Sequence, residues 1–274
     1  MHHTFSTPTA ADLHVQIGAG TVSVTATDTD RTDIEVTGSG ADDVLVEQVG
    51  HRITVKERDV FRMFSSSRPL QVKVNLPTGS DLTARLGSAM LHCQGRLRSC
   101  HVASGSGHVR LADTVDLDVM TGSGDVEAHQ VGGDLRAKTG SGDMTAHEVT
   151  GSADLITGSG DLRLRAVGGR LTTKSGSGDV AVGHVGGDVS TTSGSGDVEI
   201  GEVHRGVVTC RSASGNVSAG VAAGTPTWTD LHTVSGHVAQ ELDSLGAPAD
   251  GQAHVELRIR TVSGRIRARH VAQA

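Results

Sequence analysis

Residues 121–138 read TGSGDVEAHQVGGDLRAK, residues 139–156 read TGSGDMTAHEVTGSADLI, and residues 157–174 read TGSGDLRLRAVGGRLTTK. The tetrad Gly-Ser-Gly-Asp stands at Gly122–Asp125, Gly140–Asp143, Gly158–Asp161, Gly176–Asp179 and Gly194–Asp197, always 18 residues apart. Self-similarity at a short fixed period marks a repeat architecture, in which each unit stacks on the next. Between the tetrads, apolar and polar residues alternate. Val126 and Ala128 fall on one face and Asp125, Glu127 and His129 on the other; Leu135 and Ala137 oppose Asp134, Arg136 and Lys138. Period two is the strand signature. The sequence therefore predicts an all-β fold, a two-sheet parallel β-solenoid of the β-roll or β-helix kind with 18-residue coils. Each coil has two short strands and two Gly-marked corners. The inward set continues through Met144, Ala146, Ala153, Leu155, Leu162, Leu164, Leu171, Val180, Val182, Val189, Val198 and Ile200.

Looser copies of the corner extend the pattern both ways, at Gly87-Ser88-Ala89 and Gly105–His108 before it and at Ser214-Gly215-Asn216, Ser235-Gly236-His237 and Ser263-Gly264-Arg265 after it. One solenoid domain over 1–274 is expected: irregular coils and a cap over 1–86 with a loop at 57–70, regular coils over 87–238, and a C-terminal coil over 239–274 with a loop at 242–252. The first loop carries Phe61 and Phe64 and reads as an excursion from the coils. Corner glycines are expected where the chain turns sharply, often at positive φ, and where stacked corners approach closely. Ser or Thr before each corner (Thr121, Thr139, Thr157, Ser175, Ser193, Thr233, Thr261) can bond along the stack or to corner backbone.

Composition agrees with a narrow interior. Of 274 residues 37 are Gly, none is Tyr, and Trp and Phe together number four, so the core must be filled by small side chains. A net charge of −7 argues against nucleic-acid and anionic-membrane binding, leaving protein as the open partner class. Oligomeric state is not encoded in any motif. No apolar run is long enough for a membrane span, and Met1–Ser6 has neither a basic nor an apolar leader region, so a cytoplasmic location is expected. Cys93, Cys100 and Cys210, an odd number, fall at inward positions and read as buried reduced thiols.

Two further stretches carry a family likeness. Val72–Ser80 (VKVNLPTGS), followed by Gly87-Ser88-Ala89, resembles the V-x-V-x-LP-x-G lead-in of a bacterial β-strand-repeat family, and Val255–Val271 (VELRIRTVSGRIRARHV) resembles its terminal T-x-SG-x-I-x-I coil. The family, common in actinobacteria, is one of unknown function grouped as "putative adhesins". The resemblance implies a solenoid and brings no catalytic residues.

The sharpest candidate site is the corner file Asp125, Asp143, Asp161, Asp179 and Asp197. Calcium-binding β-rolls also use acidic corners on 18-residue coils. Here Asp follows Gly directly and the alternate ligand sets are incomplete, so the favoured reading is that each carboxylate accepts a backbone N–H at its own corner. Neighbouring charges about 4.8 Å apart repel by roughly 1 kcal/mol in water, which such bonds offset. His129 and His147 take the same outward position on successive coils and read as a surface pair. The corner serines Ser123, Ser141, Ser159, Ser177 and Ser195 recur alike, whereas a nucleophile needs one distinguished copy with a base beside it. Arg258, Arg260, Arg265, Arg267 and Arg269 on the final coil read as charge protecting an exposed end strand. The expectation is a non-enzymatic scaffold or protein-interaction module with no cofactor. Its alternatives are a calcium-binding β-roll and a hydrolase or lyase on the solenoid flank, which would need a unique acid/His cluster in one coil.

Overall fold

A computed structural model describes residues 1–58, 69–249 and 251–271, and these fall into two compact units, Met1–Gly142 and Asp143–Ala274. Phe61 and Phe64 lie outside the described residues. The chain is an all-β parallel solenoid, and the inward and outward alternation of the sequence sets its strands.

The first unit contains β1 (His2–Ser6), β2 (Asp12–Ile17), β3 (Gly20–Thr27), β4 (Arg31–Thr37), β5 (Val44–Val49), β6 (Arg52–Glu57), β7 (Leu70–Pro77), β8 (Asp81–Leu86), β9 (Met90–Ser104), β10 (Val109–Thr121), β11 (Val126–Val131) and β12 (Leu135–Thr139). Parallel coils run from β8 and β9 through β10 to β11 and β12, with Cys93 opposite Leu111 and Leu117 opposite Leu135. Strands β9 and β10 run through a corner that later coils break with glycine. Where the next coil has Val131-Gly132-Gly133-Asp134, this one has Thr114-Val115-Asp116, one residue fewer, and its register shifts between Leu111 and Asp113. The first coil in sequence is not the first in space. Leu13 of β2 pairs in register with both Ile53 of β6 and Leu82 of β8, and Val22 of β3 lies between Val72 of β7 and Leu91 of β9. Antiparallel strands then finish the irregular region: β4 on β7, β1 on β4 and β5 on β6.

The second unit contains β13 (Met144–Val149), β14 (Ala153–Thr157), β15 (Leu162–Val167), β16 (Leu171–Ser175), β17 (Val180–Val185), β18 (Val189–Ser195), β19 (Val198–Val203), β20 (Gly206–Ser214), β21 (Val217–Ala222), β22 (Thr227–Ser235), β23 (Val238–Glu241), β24 (Val255–Ser263) and β25 (Ile266–Val271). Met144 faces Leu162, Leu162 faces Val180 and Val180 faces Val198, each parallel and one 18-residue coil on. The expected inward residues are buried in both units, Leu162 and Leu171 completely and Val180 with 1% of its surface exposed. Such Leu, Val and Ala ladders remove apolar area from water at about 25 cal/mol per Å², the main stabilising term for a coil with no aromatic residue.

The final coil corrects the expectation. Strand β24 does not end the stack: Val255–Ser263 lies between β20 and β22, and β25 lies between β21 and β23. Among the described residues, β22 and β23 each have a single neighbour, so the open edge belongs to them. The arginines of β24 and β25 therefore sit on an interior coil and do not guard an end.

The corners have two causes. A Cβ on Gly178 would stand 2.0 Å from the carbonyl oxygen of Gly160, and one on Gly124 would stand 2.1 Å from that of Gly107. Close backbone stacking, rather than positive φ, requires glycine at these two. The hydroxyl three residues earlier closes the turn: Gly124, Gly142 and Gly160 donate their N–H to Thr121, Thr139 and Thr157 Oγ1 at 3.0, 2.9 and 2.9 Å. These buried hydroxyls serve the corner backbone of their own coil.

Candidate functional site

The corner aspartates of the second unit form a hydrogen-bonded ladder. Asp161 donates its backbone N–H to Asp143 Oδ1 at 2.9 Å, Asp179 to Asp161 Oδ1 at 3.0 Å, and Asp197 to Asp179 Oδ1 at 2.8 Å. Asn216 continues it, donating to Asp197 Oδ1 at 2.7 Å, and Arg265 donates its N–H to Asn216 Oδ1 at 3.0 Å. The carboxylate therefore accepts from the next coil, not from its own corner as the sequence suggested. The backbone explains why. The corner carbonyl of each Asp accepts from the coil before it, as when Leu162 N donates to Asp179 O and Val180 N to Asp197 O at 2.8 and 2.9 Å. The side chain supplies the missing acceptor on the other side, so the inter-coil ladder continues through a bend where the main chain alone would leave an N–H unpaired.

Charge along the file is relieved locally. Arg163 Nη2 lies 2.6 Å from Asp161 Oδ2 and Arg163 Nη1 lies 3.7 Å from Asp143 Oδ2. In the first unit, Asp125 N donates to His108 Nδ1 at 3.2 Å, so a histidine fills the aspartate's role one coil earlier. The opposite corners repeat the device: Asp134 N reaches Asp116 Oδ1 at 3.1 Å, Arg170 N reaches Ser152 Oγ at 3.3 Å, and Val207 N reaches Asp188 Oδ1 at 3.0 Å. Calcium takes six to eight oxygen ligands. Among the described residues, no three His, Cys, Asp or Glu side chains converge as a metal site would require. The file supplies one carboxylate per coil, with one oxygen of Asp143, Asp161, Asp179 and Asp197 already bonded to an amide.

The other candidates occupy ordinary positions. The five corner serines are all exposed, with no copy distinguished by burial. His129 is exposed on β11, and His147 is half-buried on β13. Cys93, Cys100 and Cys210 are free and buried. Burial pushes the Cys210 thiol up to about 12 and the Cys100 thiol up to about 11, and drives Cys93 well above its ordinary range. Thiols held this way are unreactive. Three of the five C-terminal arginines are paired within the coil stack: Arg258 with Glu256 at 2.6 Å, Arg260 with Asp230 at 3.2 Å and Arg267 with Glu241 at 2.8 Å.

One cluster was missed in the sequence. Glu202 is buried, and its Oε2 lies 2.9 Å from His184 Nδ1 while its Oε1 lies 3.5 Å from His204 Nε2. His184 is in register with Glu202 on adjacent strands, and the register of β19 against β21 shifts between Ile200 and Val203. The pairing is one coil apart, so the 18-residue frame could have found it. Both imidazoles are half-exposed, which lets them shield a carboxylate that the bulge has turned away from water.

Several solved structures align with the chain over nearly its full length. A "putative adhesin" from Parabacteroides merdae is 12% identical, covering 98% of this chain and 95% of that one with a TM-score of 0.45. Another, from Bacteroides fragilis, is 10% identical, covering 98% and 96% at a TM-score of 0.40. A "putative lipid binding protein" from Parabacteroides distasonis is 14% identical, covering 98% and 96% at 0.37. No protein with a curated description matches the chain. The family described as Toastrack DUF4097, whose function is unknown, matches residues 12–269, and the chain belongs to it.

Proposed function

We propose that this chain is a non-enzymatic solenoid scaffold, a protein-interaction module of the adhesin-like type. The observation that carries this reading is the corner ladder. The polar side chains that recur most regularly, Asp143, Asp161, Asp179 and Asp197, are engaged in joining coil to coil. A repeat whose recurring polar positions serve stacking leaves the broad outer faces for recognition. A cytoplasmic setting, an actinobacterial source and a single solenoid domain belong to the same proposal. Three unpaired thiols agree with a reducing compartment.

A second reading has one observation in its favour. Glu202 with His184 and His204 joins one acid to two histidines across neighbouring coils, near to the single-coil cluster an enzyme on the flank would need. The deciding experiment pairs two assays on the full chain: affinity capture from a host extract, and turnover of hydrolase and lyase substrate panels. Saturable, stoichiometric capture of a defined protein without turnover is expected. Turnover that disappears in Glu202→Gln would overturn the scaffold reading.

A further inference from the structure

One of the two edge strands of the second unit is Thr227–Ser235, whose sequence is TWTDLHTVS. It pairs with β24 on one side and, among the described residues, with nothing on the other. Natural edges are usually blunted by Lys, Pro or a covering segment. This one contains no Lys, Arg or Pro, and none of its residues is fully buried: Trp228 is 53% exposed and Val234 is 73% exposed. Val255 donates its N–H to Pro226 O at 3.0 Å. The parallel ladder then directs the even-numbered residues of β22 to β24, and Thr229, Leu231 and Thr233 turn their N–H and C=O groups to the open side.

We propose that β22 pairs antiparallel with β22 of a second copy, about a two-fold axis at Leu231. The strand is self-complementary in that register. Leu231 meets Leu231 and Thr229 meets Thr233, and these odd-numbered pairs are the ones whose backbone groups face the edge, whereas Ser235 ends the pairing by turning its C=O to accept from Gly264 N at 3.2 Å. The even-numbered pairs are Asp230 with His232 and Trp228 with Val234, each occurring twice by symmetry. They fall at the sites between hydrogen bonds, where opposing side chains approach most closely. An acid therefore meets a histidine and an indole meets an isopropyl group, with no like pair of charges. Asp230 already accepts from Arg260 at 3.2 Å, and Arg258 stands 6.0 Å from the Trp228 ring, so both outward side chains are oriented before pairing. Isologous contacts of this kind close as dimers and do not propagate. The inference goes beyond the scaffold reading, since an enzyme on the same solenoid would dimerise in the same way.

Sedimentation of the full chain over a range of concentrations tests it. A reversible dimer is expected. His232→Asp places two carboxylates opposite each other at two symmetric sites and should weaken the dimer by about tenfold or more, with circular dichroism and the Tm of the dilute monomer unchanged. The exchange Asp230→His with His232→Asp restores the complementary pairs and should restore the dimer. Val234→Lys, at an exposed position, should weaken dimerisation without loss of stability. A monomer at every concentration, a dimer indifferent to His232→Asp and Val234→Lys, or no rescue by the exchange would overturn the pairing while leaving the scaffold reading intact.

Discussion

Asp161 accepts the backbone N–H of Asp179 at 3.0 Å and donates its own N–H to Asp143 at 2.9 Å, so one residue links three coils. Asp161→Asn keeps the acceptor and removes one charge from the file. Asn216 shows that the amide serves, since its Oδ1 accepts from Arg265 N at 3.0 Å. The Arg163 pair lost with the charge is part-exposed, with the guanidinium at the surface, and worth little. Urea denaturation should find Asp161→Asn within about 0.5 kcal/mol of the parent. Asp161→Ala removes the acceptor and should cost about 1 kcal/mol. Equal losses for both would mean that charge, not the acceptor, matters at the corner.

The same ladder decides the calcium alternative. With amides bonded to the carboxylates, the folded state needs no divalent ion. Differential scanning calorimetry should give one Tm with and without chelator, and added calcium should move it little. A Tm that collapses in chelator and recovers with calcium would show ligand-coupled folding at the Asp file.

What the sequence made legible follows from which interactions are local. Strand alternation and the 18-residue frame located the inward residues from Val126 to Ile200, because burial imposes period two wherever the coil is regular. That Asp161 would act as an acceptor was readable from its corner; its donor lies on the next coil and depends on how corners stack. The spatial order of the last coils left a weaker trace. Inward positions of β22 carry Thr227, Thr229 and Thr233, tolerable at a half-open end, whereas those of β24 carry Val255, Leu257 and Ile259, all fully buried. The order of chain misled because a strand returning to an interior slot has the same period as one added at the end.

Val180 sits between Leu162 and Val198 with 1% of its surface exposed. Val180→Asp would bury a carboxylate with no partner and should destabilise the second unit by roughly 3–5 kcal/mol, or unfold it. Val180→Ala should cost less, about 1–3 kcal/mol, through lost burial and a small cavity. A denaturation midpoint unmoved by the aspartate would reverse the assignment of faces.

The thiols report on the core from both pH and reagent access. Native labelling of Cys93, Cys100 and Cys210 should be slow and should become fast in denaturant. Burial raises the folded values of Cys100 and Cys210 from 9.0 to about 11 and about 12. Between those limits the unfolded chain has released protons that the folded chain keeps, so stability falls as pH rises. The contribution is complete below about 9 and lost as pH passes the folded values. Replacing Cys210 by Ala should flatten that alkaline decline while lowering stability at neutral pH through the cavity left beside Thr191. An unchanged decline would assign it to other groups.

The strongest test of the strand order is amide exchange at the chain's end. If the last coil closed the stack, the amides of β24 would fray first, as terminal segments usually do. In the structure β24 is bonded on both sides, Val255 to Pro226 and Gly206 to His254 marking its two borders at 3.0 Å each. Strand β22 is bonded on one side only. Exchange measured at concentrations where the chain is monomeric should therefore protect Leu257 and Ile259 more than Thr229 or Leu231, although they lie later in the sequence. Protection should extend into β25, whose Ile266 donates to His237 O at 2.9 Å and whose neighbour β21 donates through Val217 to Arg265 O at 2.9 Å. Removing residues 255–271 should then cost more than a frayed end would: β22 and β23 lose their only described partners and the β20 edge opens. A β24 that exchanges faster than β22, or a truncated chain with undiminished stability, would place the final coil at the end after all and return its arginines to an edge-guarding role.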